Sequence, residues 1–217
     1  MTDRTVHDAT GHEHEVPRRD FLLLMTGALG AVGVASALWP FIDSLEPAAD
    51  TIAAGAPIEV DLSPVKPGQQ IIVLWRARPI FIVRRTPDEL KTLQSAQDTG
   101  LLRDPNSAQL QQPEYTKNWH RSVKPEFLVL VGICTHLGCV PRMEPAGASV
   151  MGGERAPAGF FCPCHGSKYD LSGRVFANVP APYNLPVPPY HFLSDTTIRI
   201  GENPPGSKFD LSEIEQI

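Results

Sequence analysis

The sequence predicts a mostly β protein, a small antiparallel head of short strands tethered by one N-terminal transmembrane helix. Three observations predict it. Residues 21–42 form a run of 22 residues without a charge. Seven short apolar or β-branched runs follow between residues 58 and 202, each bounded by turn residues. One segment among them carries a helix-start signature.

As a helix at about 1.5 Å per residue, residues 21–42 reach roughly 33 Å, enough to cross the hydrocarbon core of a bilayer. Arg18 and Arg19 precede the run, while Asp43, Glu46 and Asp50 follow it. The positive-inside bias therefore places residues 1–20 in the cytoplasm and the C-terminal domain outside. Trp39 sits near the outer end, where an amphipathic ring is favoured. The string Arg18-Arg19-Asp20-Phe21-Leu22 also fits a twin-arginine export signal. Cleavage after Ala35-Ser36-Ala37 is the competing reading; the apolar run is longer than a typical signal core, which favours a retained anchor. Gly27, Ala31 and Ala35 fall at i, i+4 and i+8, a small-residue face suited to packing another helix.

Residues 43–57 contain Glu46-Pro47-Ala48-Ala49-Asp50 and Ala53-Ala54-Gly55-Ala56-Pro57, small residues with single breakers, and read as a flexible hinge. The head then spans residues 58–202. Strands are expected at 58–62, 70–75, 79–83, 127–133, 159–161, 190–193 and 196–200. Thr86-Pro87-Asp88-Glu89 is a capping box with proline at the first helical position, which predicts a helix from Pro87 to about Ser95. Ser172-Gly173 and Ser194-Asp195 are expected hairpin turns.

Residues 102–124 are polar and aperiodic, a long loop with room for a short helix and no assigned chemistry; His120 within it reads as solvated. Residues 143–159, rich in Gly, Ala and Pro, read as a surface loop. The tail, residues 203–217, has Pro204-Pro205 and then an acidic, amphipathic stretch; it reads either as a short docking helix or as a frayed end. His7, His12 and His14 have no cysteine or acidic framework around them and are not taken as a metal tract.

At 217 residues, with 42% hydrophobic and 20% charged residues, the chain holds one domain of ordinary size plus an appendage. There is no room for a second catalytic domain. A net charge of -5 and a pI near 5.8 exclude nucleic acid as the partner, since nothing neutralises a row of phosphates.

The chemistry is concentrated in Cys134-Thr135-His136-Leu137-Gly138-Cys139 and Cys162-Pro163-Cys164-His165-Gly166-Ser167. These boxes use all four cysteines of the chain and pair each half with one histidine, which points to a metal site plus a disulfide. Two soft thiolates and two neutral imidazoles suit zinc or an iron-sulfur cluster. Zinc sites usually run C-x2-C then H-x3-5-H, whereas each box here offers its own Cys and His. A two-iron cluster with one iron on sulfur and one on nitrogen needs that composition.

The boxes resemble those of Rieske [2Fe-2S] proteins, and the rest of the chain resembles the iron-sulfur subunit of bacterial quinol-cytochrome c reductase, the cytochrome bc complex. The resemblance implies a Rieske-type antiparallel β-sandwich head with a cluster-binding part at about residues 130–185. It implies that Cys134 and Cys162 hold one iron, that His136 and His165 hold the other through exposed imidazoles, and that Cys139 and Cys164 form a disulfide tying the two loops. Ser167 and Tyr169 match positions whose hydroxyls donate to a bridging sulfide and to a ligand sulfur, here Cys134, and so raise the potential. Leu137 matches the apolar residue that shields the cluster. Val179-Pro180-Ala181-Pro182 takes the place of the third wall of the pocket, with Pro180 shielding; the family usually has glycine where Val179 stands, so a stiffer or shifted loop entry is expected. The spacer of 25 residues between His136 and Cys162 is longer than the family's, and the excess falls in 143–159.

In function, the resemblance implies one [2Fe-2S] cluster at roughly -150 to +300 mV, against about -400 mV for plant-type ferredoxins. Electron uptake then favours proton uptake at His136 or His165. The implied relay takes an electron and a proton from quinol at the cytochrome b subunit, with His165 bonding the quinol, and passes the electron to a c-type cytochrome. The anchor is retained, the hinge lets the head swing, and the subunit is inactive alone. Its implied setting is a dimeric complex in the bacterial inner membrane, in contact with lipid, with the head on the periplasmic side. Two rival classes are an arsenite oxidase small subunit, separated by co-purification with a molybdenum subunit in place of a b-type cytochrome, and a zinc-stapled, membrane-tethered binding module, separated by metal analysis. A ring-hydroxylating dioxygenase is disfavoured by the cysteine pair and the chain length.

Overall fold

The computed structural model describes residues 6–7, 13–14, 17–46, 55–97 and 100–216. It divides into two compact units, 1–52 and 53–217. In the first, β1 (Val6–His7) pairs antiparallel with β2 (Glu13–His14), and α1 spans Arg18–Asp43. Helix α1 has a mean hydropathy of 2.0 and no buried residue. It begins three residues before the uncharged run, because the Pro17 carbonyl accepts the Asp20 and Phe21 amides and draws the twin arginines into the first turn. The expected hinge falls largely on residues 47–54, which lie outside the described residues, as do His12 and the side chains of His7 and His14.

The head is built from three antiparallel sheets of three strands. The first has the order β10 (Tyr190–Phe192), β11 (Thr197–Ile200), β3 (Ile58–Asp61), and the second β4 (Gln70–Trp75), β5 (Arg78–Arg84), β6 (Phe127–Val131). The third runs in chain order, β7 (Arg142–Glu144), β8 (Gly159–Phe161), β9 (Lys168–Asp170). All five residues of β6 are buried, as its unbroken Phe-Leu-Val-Leu-Val run requires. The third sheet is joined to the second by Phe160 stacked on Phe81 with ring centroids 5.6 Å apart. Gly132, just after β6, leaves no room for a side chain, since a Cβ would clash with Cε1 of the buried Phe81 ring.

Helix α2 spans Pro87–Ser95 as expected. The Glu89 amide donates to Thr86 Oγ1 at 3.3 Å, and the Thr86 amide donates to Glu89 Oε2 at 2.7 Å. The hairpin turns at Ser172-Gly173 and Ser194-Asp195 are also present, closed by Gly173 N–H to Asp170 and by Leu193 N–H to Thr197.

Three expectations need correction. Residues 143–159 are not simply a surface loop: they start in β7, end in β8, and bury Met151 and Ala158. A three-residue Arg-Met-Glu strand is too short for alternation to show. Residues 102–124 form the expected long loop with one short helix, a 3-10 turn at Glu114–Thr116, and bury Gln111, Gln112, Thr116, Arg121 and Ser122. His120 is half-buried and not solvated; its Nδ1 lies 2.8 Å from Ser122 Oγ, and burial, with Arg85 beside it, pushes its pKa down to about 4. The tail is neither a docking helix nor frayed: Leu211 is buried, Phe209 and Ile214 pack on the core, and Leu211–Glu213 makes one 3-10 turn.

Candidate metal centre

Both boxes follow a strand that delivers them to the same end of the third sheet, the first after β6 and the second after β8. They adopt one local fold. The Gly138 amide donates to the Cys134 carbonyl at 3.0 Å, and the Gly166 amide donates to the Cys162 carbonyl at 3.0 Å. The Cys134 amide donates to the Cys139 carbonyl at 2.7 Å, and the Cys162 amide donates to the Ser167 carbonyl at 2.8 Å. Gly138 and Gly166 sit at φ 82° and 78°, a left-handed conformation that any side chain would strain. Cys139 and Cys164 are joined by a disulfide, so one covalent bond ties the two turns together.

This repetition brings the expected residues together. Cys134 and Cys162 are free cysteines, each 1% exposed. The rings of His136 and His165 meet edge to face with centroids 4.6 Å apart, His165 exposed and His136 half-buried, less open than expected. The Cys162 sulfur lies within 4.8 Å of both disulfide sulfurs, which are bonded to each other and offer no thiolate to a metal. Burial pushes the Cys162 thiol up, so its thiolate needs a cation beside it.

The surroundings fit a [2Fe-2S] group on these four side chains. His136 Nδ1 is buried with no hydrogen-bond partner among the described residues. Ser167, fully buried, accepts the Ala181 amide at 3.0 Å, which leaves its proton to give. Tyr169 Oη lies 3.2 Å from Cys134 Sγ and accepts the Thr135 amide at 3.3 Å. Thr135 Oγ1 gives its own proton to the Tyr183 carbonyl at 2.7 Å, so it can only accept from Tyr169. A thiolate at Cys134 is then the stronger acceptor for the phenol proton. Burial, then the bond to Cys134, pushes the Tyr169 pKa far up, so the hydroxyl keeps that proton.

Leu137 is 69% exposed at the tip, and Pro180 is exposed on the neighbouring loop. At the loop entry the left-handed residue is Asn178, at φ 60°, and Arg103 Nη2 donates to the Val179 carbonyl at 2.9 Å. Asparagine tolerates that region better than valine. Sequence reasoning missed Thr135, Asn178 and Arg103. Of these only Asn178 carried a readable signal, an Asn where a left-handed turn residue was needed.

Two pseudo-equivalent turns, each presenting one buried cysteine and one histidine, and locked by a disulfide, define a Rieske-type iron-sulfur protein. The Rieske [2Fe-2S] domain model matches residues 102–189, and the model described as Ubiquitinol-cytochrome C reductase Fe-S subunit TAT signal matches residues 9–48. The ubiquinol-cytochrome c reductase iron-sulfur subunit of Allochromatium vinosum is 50% identical over 86% of this chain and 89% of its own. That of Bradyrhizobium diazoefficiens is 50% identical over 85% of this chain and 94% of its own. A chain of a hyperthermophilic respiratory Complex III is 28% identical, with TM-score 0.46, over 81% of this chain and 97% of that one. The chain belongs to the family of ubiquinol-cytochrome c reductase iron-sulfur subunits.

Proposed function

We propose that this chain is the electron-carrying subunit of a quinol-cytochrome c reductase, an oxidoreductase complex, and that its head oxidises quinol at the surface of a cytochrome b subunit. The observation that carries the reading is the pair of edge-to-face histidines beside two buried free cysteines on disulfide-tied loops. Cys134 and Cys162 would hold one iron, and His136 and His165 the other. When bound, the cluster supplies one-electron chemistry at a high potential, because neutral imidazoles leave it less negative than four thiolates would.

The chain's own residues do the rest. His165, exposed, presents its ring to the quinol hydroxyl and takes the proton on the nitrogen not used for iron. Leu137, next to His136 in the chain and exposed, offers an apolar surface to the quinone ring. Tyr169 aims its hydroxyl at the Cys134 sulfur, where added negative charge would be stabilised, and Ser167, which accepts the Ala181 amide, keeps a proton to give. The disulfide keeps the two loops from parting. The hinge at residues 43–57 then lets the head deliver the electron to a c-type cytochrome. Arg18 and Arg19 in the first turn of the apolar helix, and Asp43, Glu46 and Asp50 at and beyond its far end, orient the chain with residues 1–20 in the cytoplasm and the head on the periplasmic side of the inner membrane. Lipid surrounds the helix, and the complex is a dimer.

The test is purification of the chain from its native membrane, with a redox titration followed by electron spin resonance at several pH values. Co-purification with a b-type cytochrome and a positive midpoint that falls above neutral pH is the expected result. A molybdenum partner would favour an arsenite-oxidase-like reading, and bound zinc without iron would end the redox reading.

A further inference from the structure

We infer that the C-terminal tail is a strap that positions the His136 loop, with Gln216 as the positioning residue. The inference rests on the ligand role proposed above for His136 and extends it to a part of the chain outside the two boxes.

After β11 the tail turns back across the head. Asn203 Nδ2 donates to the Phe209 carbonyl at 2.9 Å, Leu211 is 5% exposed, and Phe209 and Ile214 pack on the core. Burying these three side chains fixes the path of the tail and repays the entropy of ordering a chain end. Beyond Ile214 the tail is held by hydrogen bonds. The Glu215 amide donates to the Leu110 carbonyl at 3.3 Å, and Gln111 Nε2 donates to the Gln216 carbonyl at 3.1 Å. Gln216 Nε2 in turn donates to the His136 carbonyl at 3.3 Å. Because that acceptor is a carbonyl, the nitrogen end of the Gln216 amide has to face it.

Gln111 anchors the strap. It is fully buried, and its own carbonyl accepts the Val187 amide at 2.9 Å and Arg121 Nη2 at 3.4 Å. Arg121 Nη1 donates to the Ser172 carbonyl at 3.0 Å, in the turn that follows β9. A continuous path of hydrogen bonds therefore runs from the His136 peptide, through Gln216, Gln111 and Arg121, to the hairpin that carries Ser167 and Tyr169. Cys134, Thr135, Gly138 and Cys139 each have a partner in the turn, the disulfide or the neighbouring loop. Among the described residues, Gln216 is the one donor to the His136 carbonyl. Without it, the peptide that carries this ring is fixed only from its two neighbours.

The experiment uses the full chain in its assembled complex in native membranes, with Gln216→Ala, Gln216→Glu and, as a control, Glu213→Gln. Gln216→Glu keeps the length and loses the donor. Two quantities are read at equal iron content: the width of the cluster's electron spin resonance lines, and amide hydrogen exchange in the peptide spanning residues 134–139. Both Gln216 variants should broaden the lines, as the His136 ring samples more orientations, and should exchange about fivefold faster, the loss of one ordinary hydrogen bond. The control should change neither. Unchanged line widths and exchange in both variants overturn the strap. Should they lose iron, Gln111→Asn, which shortens the clamp and leaves the tail intact, is read for the same two changes, and their absence is equally decisive. A wild-type chain that binds no iron refutes the ligand role of His136, and exchange alone then decides whether the tail holds the loop.

Discussion

Replacing Tyr169 by phenylalanine removes one hydroxyl and leaves the ring, which is fully buried in the core. Two consequences follow, and they separate. The lost O–H to Cys134 Sγ, at 3.2 Å, faces the ligand sulfur. A hydrogen bond to a charged acceptor contributes about 1 kcal/mol more than one to a neutral acceptor. One-electron reduction adds negative charge on the sulfur side, so the bond favours the reduced state by about that much. With about 59 mV per tenfold for one electron, and tenfold being about 1.4 kcal/mol, Tyr169→Phe should lower the midpoint by roughly 40 mV. The Thr135 amide, at 3.3 Å from the same oxygen, also loses its acceptor, which costs about 1 kcal/mol of stability. Redox titration of the iron-loaded chain measures the first effect, and denaturant unfolding the second. Quinol oxidation should slow in step with the lower midpoint. A variant with full iron content and an unchanged midpoint would refute the assignment of the phenol proton to Cys134.

Ser167→Ala should also lower the midpoint, and it strands the Ala181 amide now held at 3.0 Å; an unchanged potential would remove Ser167 from the site. Asp170→Ala should destabilise the head by about 3–5 kcal/mol, because the carboxylate accepts Arg174 Nε at 2.8 Å in a site where both side chains are nearly unexposed. A loss below about 1 kcal/mol in denaturant unfolding would mean that the pair behaves like a surface one. Replacing Cys139 and Cys164 together by serine opens a loop with a sequence separation of 25, worth about 3.5 kcal/mol by chain entropy, and reduced melting temperature with early loss of iron is the expected readout. His120, with its pKa lowered to about 4, binds its proton more weakly folded than unfolded. Its contribution is present above about pH 6.5 and is lost as pH falls from there towards 4. His120→Gln should flatten the stability profile in that window, as followed by unfolding at stepped pH.

How much of this could be read from the sequence depends on what holds each segment. The strands of the first two sheets were legible because their apolar runs are long enough to show, and β4, α2 and β8 fall where expected. The boxes were legible because cysteine and histidine have few other reasons to alternate so closely. β7 and β9 were not, since Arg-Met-Glu and Lys-Tyr-Asp are three residues each, two of them charged. The site was legible in its donor atoms and illegible in its supports: Thr135, Arg103 and Gln216 act through backbone carbonyls or a single hydroxyl, and no spacing rule announces such partners.

The same reason explains why residues 102–124 read as a long polar loop and yet bury several of their side chains. A segment without a ladder must satisfy its peptide groups some other way, and here buried arginines do it. Arg85 donates to the carbonyls of Pro125, His120 and Leu171 and to Ser122 Oγ, and Arg121 to those of Ser172 and Gln111 and to Gln112 Oε1. Arg174 donates to the carbonyls of Leu93 and Pro105 as well as to Asp170. Burial lowers the Arg85 pKa to about 10 and that of Arg121 to about 9, still far enough above neutrality to keep both charged. Among the described residues one carboxylate, Asp170, is buried with these three cations, so most of their donors go to uncharged carbonyls. Each planar fork can reach several segments at once, which lysine, with three donors on one nitrogen, cannot. The arginines therefore do between loops what hydrogen-bonded ladders do between strands. Through Leu171, Ser172 and Asp170 they do it on the hairpin that carries Tyr169.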